Sequence, residues 1–392
     1  MQIESIEIRN YRLFREARLT ELPRLTVVVG ANGSGKSTLF DVFSFLKEAL
    51  TQNVAQAVAR RGGFGELVSR GEKGPIGITI RFPWRGGELA TYQLEVAAGD
   101  SGPVVERERL NYGYGQFGQP MYFVDFSRGR GSAIAHEVTD EGWGDIKEER
   151  TDLALDDPSD LAIKGLGQFK QFRVAAEFRG LIENWHISDF HISDARPSAE
   201  AGYAEHLSTR GDNVAQVAQF LYERHRDRFD QVLRVMSERV PGVSRVEAKP
   251  TEDGRLVLRF QDGSFKDPFI ARYVSDGTIK MFAYLVLLYD PRPHPLLAIE
   301  EPENQLYPEL LHELVEEFRD YARRGGQVFA STHSPDFLNG ARLDEIYWLV
   351  KEQGFTTIRR AKDSELLRNL VQQGDLPGAL WKQGLFEGAG PR

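Results

Sequence analysis

Runs of apolar residues along the chain predict buried strands, half-buried strands and helices. Residues 25–29 form a continuous β-branched apolar run, which is typical of a strand buried on both faces. Residues 39–47 carry helical spacing shortly after a glycine-rich loop. Residues 2–8 alternate apolar and polar positions, which predicts an edge strand of the sheet that carries this loop.

The middle of the chain predicts two inserted lobes. Short strand patterns recur between Gly, Pro and Asp breaks and indicate an antiparallel lobe; they cover residues 78–82, 91–96 and 121–124. The polar, glycine-containing residues 127–157 predict a long loop that is either exposed or partly mobile. Helical spacing then predicts a helical lobe over residues 159–184 and 213–239, and a hairpin follows over residues 245–248 and 255–260.

The C-terminal third predicts alternating strands and helices. The expected elements are an apolar helix over 279–289, a buried strand over 295–301, a helix over 307–323, a strand over 327–330 and a strand pair over 346–350 and 356–360. The apolar residues 366–386 have two interpretations. They either dock a partner protein or pack onto the core of the chain itself.

Composition excludes several classes of protein. The 392 residues allow two or three domains, and 41% hydrophobic residues suffice for a packed core. The chain contains no cysteine, which excludes disulfides, cysteine-ligated zinc and thiol catalysis. The net charge of −9 argues against extensive coating of a polyanion. Residues 1–4 lack a signal-peptide pattern and the longest apolar run, 281–289, is too short to span a bilayer, so we expect a cytoplasmic protein without membrane contact.

The glycine-rich loop fits a phosphate-binding motif. Residues 30–37 match G-x-x-x-x-G-K-[ST] at a predicted strand-to-helix junction. The backbone N–H groups of such a loop converge on the phosphates of a nucleotide. Lys36 adds a positive charge there, and the Ser37 hydroxyl is expected to hold a magnesium ion. The predicted nucleotide-binding residues of this motif are Gly30, Asn32, Gly33, Ser34, Gly35, Lys36, Ser37 and Thr38.

Further polar residues follow the C-terminal strands. Glu300 and Glu301 end a predicted parallel strand, which is where such folds place acidic residues beside a phosphate loop. We expect Glu300 near the magnesium ion and Glu301 to orient or deprotonate the attacking water. His333 follows the next strand, within reach of a γ-phosphate. The hydroxyl of Ser275 and the backbone of Gly277, at a helix N-terminus, suit another phosphate.

A short duplication lies between the two helical segments. Residues 186–189 and 191–194 both read His-Ile-Ser-Asp. Two histidines and two aspartates are possible metal ligands, but an offset of five residues does not by itself place all four on one face of a strand or helix. We therefore favour a strand that leads into the turn at residues 195–197.

These motifs together resemble the ABC-type ATPase heads of the SMC, RecF and OLD-like group, and more narrowly the compact bacterial ATPases without a long coiled coil that are linked to phage defence. The resemblance rests on residues 10–12, 30–37, 274–278, 296–301, 302–304 and His333. It implies an α/β P-loop NTPase fold with an ABC ATPase-like mixed sheet core, an inserted antiparallel β lobe and a helical lobe. The expected segments are 1–75 and 243–392 for the two halves of the core, 76–158 for the β lobe with its loop, and 159–242 for the helical lobe.

The resemblance also implies a role for each motif. Residues 30–37 correspond to the Walker A loop, 275–278 to the signature, 300–301 to the end of Walker B, 302–305 to the D-loop and His333 to the switch histidine. The implied cofactors are ATP and Mg²⁺. The implied catalytic residues are Glu301, His333 and Lys36; Ser37 and Glu300 hold the metal, and Arg12, Ser275 and Gly277 join the loop in binding nucleotide.

Two positions depart from the family pattern. Glu300 stands where many relatives have aspartate, which alters the geometry offered to magnesium. The Q-loop glutamine is not identified, since Gln52, Gln56 and Gln116 all fit poorly.

In this family the signature of one subunit closes over the nucleotide bound by another, so the resemblance implies a homodimer or a higher oligomer with composite ATP sites. The leading hypothesis is a regulatory ATPase that gates a separately encoded effector, a nuclease, in antiviral defence. A RecF-type DNA-repair ATPase that binds DNA directly is the alternative, and RNA is another possible ligand. A nucleotide-binding subunit of an ABC transporter is a third, less favoured hypothesis.

Overall fold

The computed structural model describes residues 2–84, 89–114, 120–135, 149–190, 192–196, 199–200 and 202–389. Its strands are β1 (Ser5–Tyr11), β2 (Phe14–Leu19), β3 (Leu25–Val29), β4 (Ile76–Pro83), β5 (Leu89–Gly99), β6 (Gly102–Tyr114), β7 (Pro120–Ser127), β8 (Arg130–Ala135), β9 (Glu149–Ala154), β10 (His186–Ser188), β11 (Ala199–Glu200), β12 (Val243–Pro250), β13 (Arg255–Asp262), β14 (Phe269–Ile270), β15 (Leu296–Glu300), β16 (Gln327–Thr332), β17 (Ile346–Glu352) and β18 (Phe355–Arg360). Its α-helices are α1 (Lys36–Thr51), α2 (Val54–Ala59), α3 (Phe64–Leu67), α4 (Ala162–Leu166), α5 (Arg173–Glu183), α6 (Ile192–Ala195), α7 (Val214–Arg224), α8 (Arg226–Arg239), α9 (Asp276–Leu288), α10 (Pro308–Arg323), α11 (Pro335–Asn339), α12 (Glu365–Gln372) and α13 (Pro377–Lys382).

A six-stranded sheet in the order β10-β15-β16-β3-β17-β18 forms the centre of the molecule. Its neighbouring strands are parallel, apart from the antiparallel pair β17–β18. The inner strands β3 and β16 are buried at every position, as expected for a parallel sheet covered on both faces. The phosphate loop, the two glutamates and His333 all follow parallel strands of this sheet, so they share its carboxyl edge.

The predicted edge strand at residues 2–8 is wrong in two respects. The strand observed there, β1, belongs to an antiparallel sheet in the order β2-β1-β4-β5-β6-β7-β8-β9, and not to the sheet that carries the phosphate loop. It pairs with both β2 and β4, so that β2 forms the edge. Alternation of apolar and polar residues reports one buried face, but it does not identify the sheet that a strand joins.

The antiparallel lobe is confirmed at β4, β5 and β7. The prediction of a long loop over residues 127–157 is wrong within the described residues, because two strands form there. Strand β8 pairs with β9 in register from Arg130 opposite Ala154 to Ala135 opposite Glu149. These strands lie at the end of the sheet, where many side chains face solvent, and therefore carry little apolar signal. Residues 136–148 lie outside the described part of the chain.

Helix α1 lies between the two large sheets and ties them into one core. The ring of Phe43 packs against Phe329 of the parallel sheet and against Trp185, with centroid separations of 4.9 and 5.6 Å. Phe45 packs against Tyr11 of the antiparallel sheet at 5.8 Å. Because both sides of the helix contact a sheet, apolar residues occupy more than one face of it.

The remaining predicted helices and strands are confirmed with shifted bounds. Helices α4 and α5 occupy the segment 159–184, and α7 and α8 occupy 213–239 with a break at His225. The hairpin β12–β13 forms as predicted. The duplication becomes strand β10 and the short helix α6, and His191 lies outside the described residues. The division of the chain into four segments stays a prediction.

The C-terminal stretch packs onto the chain itself. The side chains of Leu367, Leu380, Trp381 and Phe386 are buried in the core that also contains α9 and α10. The Trp381 indole N–H donates to the Ala389 carbonyl at 2.8 Å. The partner-docking interpretation therefore has no apolar face to use at these four residues. Every helix in the described ranges is too short or too polar to cross a membrane.

Candidate functional site: the carboxyl edge of the parallel sheet

The phosphate loop joins β3 to α1 and folds back tightly at the helix N-terminus. Gly35 precedes α1 with φ at 104°, a conformation that L side chains rarely adopt. A Cβ on Gly30 would lie 2.5 Å from Ser34 Oγ and 3.0 Å from the carbonyl oxygen of Leu349. Thr356 of the neighbouring strand β18 fixes the loop from outside by donating to the Ser34 carbonyl at 2.7 Å.

Lys36 closes this loop with its side chain. Its ammonium donates to the carbonyl oxygens of Gly30 and Ala31 at 2.8 and 3.4 Å. Burial lowers the pKa of Lys36, and nearby carboxylates, Glu301 foremost, oppose that shift. The ammonium thus lies over the loop, held by weak neutral acceptors that a phosphate oxygen can replace.

The residues that follow β15, residues 300–304, form a compact acidic turn. Burial raises the pKa of Glu300, a hydrogen bond from the Ser37 hydroxyl lowers it, and the charges of Glu301 and Asp189 raise it further. Ser37 and Glu300 line the same cavity, and the charges of several carboxylates act on Glu300. Such a concentration of negative charge favours a cation.

Glu301 has an unusual backbone conformation, with φ at 45°. Its N–H donates to the Ser331 carbonyl of the neighbouring strand at 3.0 Å. Its carboxylate accepts a hydrogen bond from the Asn304 amide at 3.0 Å and lies 3.4 Å from His333 Nδ1. The expected base, the D-loop asparagine and the expected switch histidine are thus neighbours in one chain.

Glu303 connects the acidic turn to the end of β16, a role that the sequence analysis missed. Its carboxylate accepts hydrogen bonds from the Thr332 hydroxyl at 2.7 Å and from the His333 backbone N–H at 2.8 Å. The residue is only 8% exposed. A buried carboxylate with two donors on the same short segment holds that segment rigidly.

Two further residues were missed because they come from distant segments. A cavity of about 1070 Å³ borders the site, and its lining includes Ser37, Glu300, Asp189, Lys280 and Gln52. Asp189 follows β10, the strand beside β15, and so reaches the same edge. Lys280 donates to the Asn304 carbonyl at 2.6 Å, and burial lowers its pKa to about 8.

The three glutamines considered for the Q-loop differ in their position relative to this cavity. Gln52 lines this cavity, Gln56 is exposed on α2, and Gln116 lies outside the described residues. The position beside β15 that reaches the cavity lined by Ser37 and Glu300 is taken by an aspartate, Asp189.

Arg12 lies at the first turns of α1. It follows β1 and forms an ion pair of 3.0 Å with Asp41, which also accepts hydrogen bonds from Tyr11 and Arg61 at 2.8 Å each. About a third of the Arg12 side chain, 34%, is exposed. It is therefore held next to the phosphate-loop helix, and its contact with a nucleotide stays a prediction.

Ser275 and Gly277 line a different cavity from Ser37 and Glu300. Ser275 caps α9 by accepting a hydrogen bond from the Thr278 N–H at 3.2 Å. Both residues line this cavity of about 390 Å³, together with Tyr307, residues of α10 and the end of α8. The two cavities share no lining residue among those described. Within the described residues, Ser275 thus lies outside the cavity that Ser37 and Glu300 line.

The donor chemistry fits magnesium and a nucleotide. Mg²⁺ prefers hydroxyl, carboxylate and phosphate oxygens, and Ser37 with Glu300 offers the first two. One oxygen of Glu303 is buried without a hydrogen-bond partner in the described part of the chain, which leaves negative charge uncompensated beside the loop. The absence of a side chain at Gly33 and Gly35 leaves the loop backbone open to close approach by a phosphate.

The architecture defines the fold class: the chain has the α/β fold of the SMC head domains. One similar solved structure is titled "Crystal structure of the SmcHead bound to the C-winged helix domain of ScpA"; the TM-score is 0.54 at 14% identity, over 92% of this chain and 98% of that chain. Another is the SMC head domain from Thermotoga maritima, with a TM-score of 0.50 at 12% identity over 92% and 99% of the two chains. At these identities the likeness concerns the fold alone. No curated protein matches the chain.

The family described as "AAA domain, putative AbiEii toxin, Type IV TA system" matches residues 25–339, well over half of the chain. The protein belongs to this AAA domain family.

Proposed function

We propose that the protein binds ATP with Mg²⁺ at the carboxyl edge of the parallel sheet and hydrolyses it. The observation that carries this proposal is the convergence of Lys36, Ser37, Glu300, Glu301 and His333 there: Ser37 and Glu300 line one cavity, and Glu301 lies 3.4 Å from His333 Nδ1. Membership of an AAA domain family and the SMC-head fold support it.

Each residue has a definite task in this proposal. Lys36 leaves the carbonyl oxygens of its own loop and donates to the β- and γ-phosphates. Glu301, held by Asn304, accepts a proton from the attacking water or orients it. His333 donates to the γ-phosphate as negative charge develops on it. Ser37 and Glu300 would hold Mg²⁺, which neutralises phosphate charge when bound.

The proposed active unit is a homodimer or a higher oligomer. Ser275 and Gly277 line a different cavity from Ser37 and Glu300, which supports a composite site, in which Ser275 and Gly277 of one chain complete the nucleotide site of another. ATP would then favour the closed assembly, because the contacts across the interface need the γ-phosphate.

We further propose that this cycle gates a separately encoded effector, a nuclease, in antiviral defence in the cytoplasm. The toxin–antitoxin description of the family supports a defence role. A similar SMC head is bound to a domain of ScpA, which supports a head surface as the docking site for another protein. DNA-stimulated turnover would instead favour the RecF-type alternative, in which the head binds nucleic acid directly.

Steady-state hydrolysis of ATP and equilibrium binding of ATP test the enzymatic part. Glu301→Gln should bind ATP but lose at least about 100-fold in kcat, whereas Lys36→Ala should lose binding. Wild-type turnover by Glu301→Gln would contradict the assigned base. A phage challenge tests the biological part: cells that carry the protein and its neighbouring genes should resist, and cells that carry Lys36→Ala should not. Equal resistance of the two strains would contradict an ATP-gated role.

A further inference from the structure

Three histidines and an aspartate converge at the opposite edge of the parallel sheet from the nucleotide site. His206, Asp290 and His294 each offer one ligand atom, and these three atoms lie within 4.8 Å of one another. The ring of His186, at the start of β10, lies 5.0 Å from the ring of His294, and the ring of His206 lies 5.2 Å from it. The duplicated motif drew attention to His186 but not to these partners, which come from separate segments.

Hydrogen bonds fix the orientation of two of the rings. His294 donates from Nδ1 to the Asn184 carbonyl at 3.0 Å, which leaves the lone pair of Nε2 free. Histidine ligands of metals are commonly oriented as His294 is, with one nitrogen bonded to a carbonyl and the other on the metal. Nδ1 of His206 lies 2.6 Å from Oδ2 of Asp290, so a cation that replaces the proton between these two atoms can bind both of them.

Two of the free nitrogens are buried without a partner. Nε2 of His186 and Nε2 of His294 have no hydrogen-bond partner in the described ranges of the chain, and His186 is only 5% exposed. Asp290 is also buried, at 7% exposure, and its second oxygen accepts the Arg292 N–H at 2.8 Å. Buried imidazole nitrogens without a donor point to a ligand that is electron-poor.

We propose that His206, Asp290 and His294 form a zinc-binding site, with the buried imidazole of His186 beside them as the fourth donor. Imidazole and carboxylate donors in a closed, four-donor arrangement suit Zn²⁺. Imidazoles on a tetrahedral zinc, with zinc–nitrogen distances of about 2.0–2.1 Å, place their ring centroids about 5 Å apart. The observed separations of 5.0 and 5.2 Å agree with that spacing.

The site has a structural role. It joins the segment after β11, the segment between α9 and β15, and the first residue of β10. Strand β10 has three residues, and Asp189 follows it at the nucleotide edge, about 10 Å along the strand from His186. Zinc at one end of β10 therefore holds the strand against β15 and fixes the position from which Asp189 faces the other end.

Metal content and thermal stability test the proposal. The full-length protein, purified without a histidine tag, is saturated with zinc, desalted in the presence of ATP and Mg²⁺, and analysed by elemental mass spectrometry. His206→Gln and His294→Gln remove one donor each. His312→Gln, an exposed histidine on α10, is the matched control, and Glu300→Gln checks that zinc does not reside at the nucleotide site. Circular dichroism verifies that each variant folds.

We expect about one zinc per chain in the wild type and in both controls. The zinc content of His206→Gln and of His294→Gln should be lower by roughly tenfold or more. Adding zinc to chelator-treated protein should raise the Tm of the wild type by several degrees, but not that of either variant. Co²⁺ in place of zinc should give the visible absorption of a tetrahedral site. The zinc site is contradicted if the folded variants His206→Gln and His294→Gln retain as much zinc as the wild type. It is also contradicted if neither the metal content nor the Tm of the wild type responds to zinc.

Discussion

Replacing Glu303 by alanine tests whether the link between the acidic turn and β16 positions the catalytic residues. The carboxylate is buried and accepts hydrogen bonds from the Thr332 hydroxyl and the His333 N–H. Hydrogen bonds to charged groups contribute about 1.5–3 kcal/mol each, so the two together amount to roughly 3–6 kcal/mol. Since 1.4 kcal/mol corresponds to a tenfold change in rate, a loss of only about 3 kcal/mol at the transition state lowers kcat by roughly 100-fold.

The assay is steady-state ATP hydrolysis, with kcat and KM measured separately. We expect Glu303→Ala to lose most of kcat while KM for ATP changes much less, because the hydrogen bonds of Glu303 go to Thr332 and His333 at the end of β16 and not to the phosphate loop. Glu303→Gln keeps one acceptor oxygen and should fall between the wild type and Glu303→Ala. Glu223→Ala, an exposed glutamate on α7, is the control and should match the wild type. A folded Glu303→Ala protein with kcat within about threefold of the wild type would refute the positioning role.

Three further substitutions test the fold. Burial raises the pKa of Glu108 from its ordinary value of 4.5 to about 7. The free energy of unfolding of the wild type should therefore fall by about 3 kcal/mol as the pH rises from 4.5 to 7. Denaturant melts of Glu108→Gln should not show this dependence on pH. Arg319 forms a buried ion pair with Glu345 at 2.7 Å, and Arg319→Ala should cost about 3–5 kcal/mol in the same assay; no change would contradict this. A Cβ on Gly378 would lie 1.9 Å from the Pro335 carbonyl, so Gly378→Ala should destabilise the protein by at least about 1–3 kcal/mol, whereas Gly263→Ala, in open space, should be neutral in thermal melts.

The phosphate loop and the strand that ends at Glu300 could be predicted because their signals are local. A glycine-rich motif between an apolar strand and a helix is contained in consecutive residues, as is a run of apolar residues that ends in two acids. The parallel sheet then brings these local motifs together at one edge, since each follows a strand at its carboxyl end.

Residues that act through tertiary contacts could not be predicted in this way. Asp189 reaches the site because β10 pairs with β15, and Lys280 because α9 packs beneath the acidic turn. Glu303 reads in the sequence as one more acid in a turn, and only its two hydrogen bonds to β16 distinguish it. The sheet that β1 joins was misassigned for the same reason: pairing partners are chosen over long sequence distances, while the alternation of residues is local.

The native mass of the protein with ATP and Mg²⁺ tests the central proposal, an ATP-bound assembly with composite sites, most directly. Glu301→Gln should run as a dimer or a larger assembly with ATP and as a monomer without it, because ATP persists when hydrolysis is blocked. Adding Lys36→Ala or Ser275→Arg to that variant should abolish the assembly. If Glu301→Gln binds ATP and stays monomeric, or if Ser275→Arg leaves the assembly intact, the composite site proposed here is contradicted.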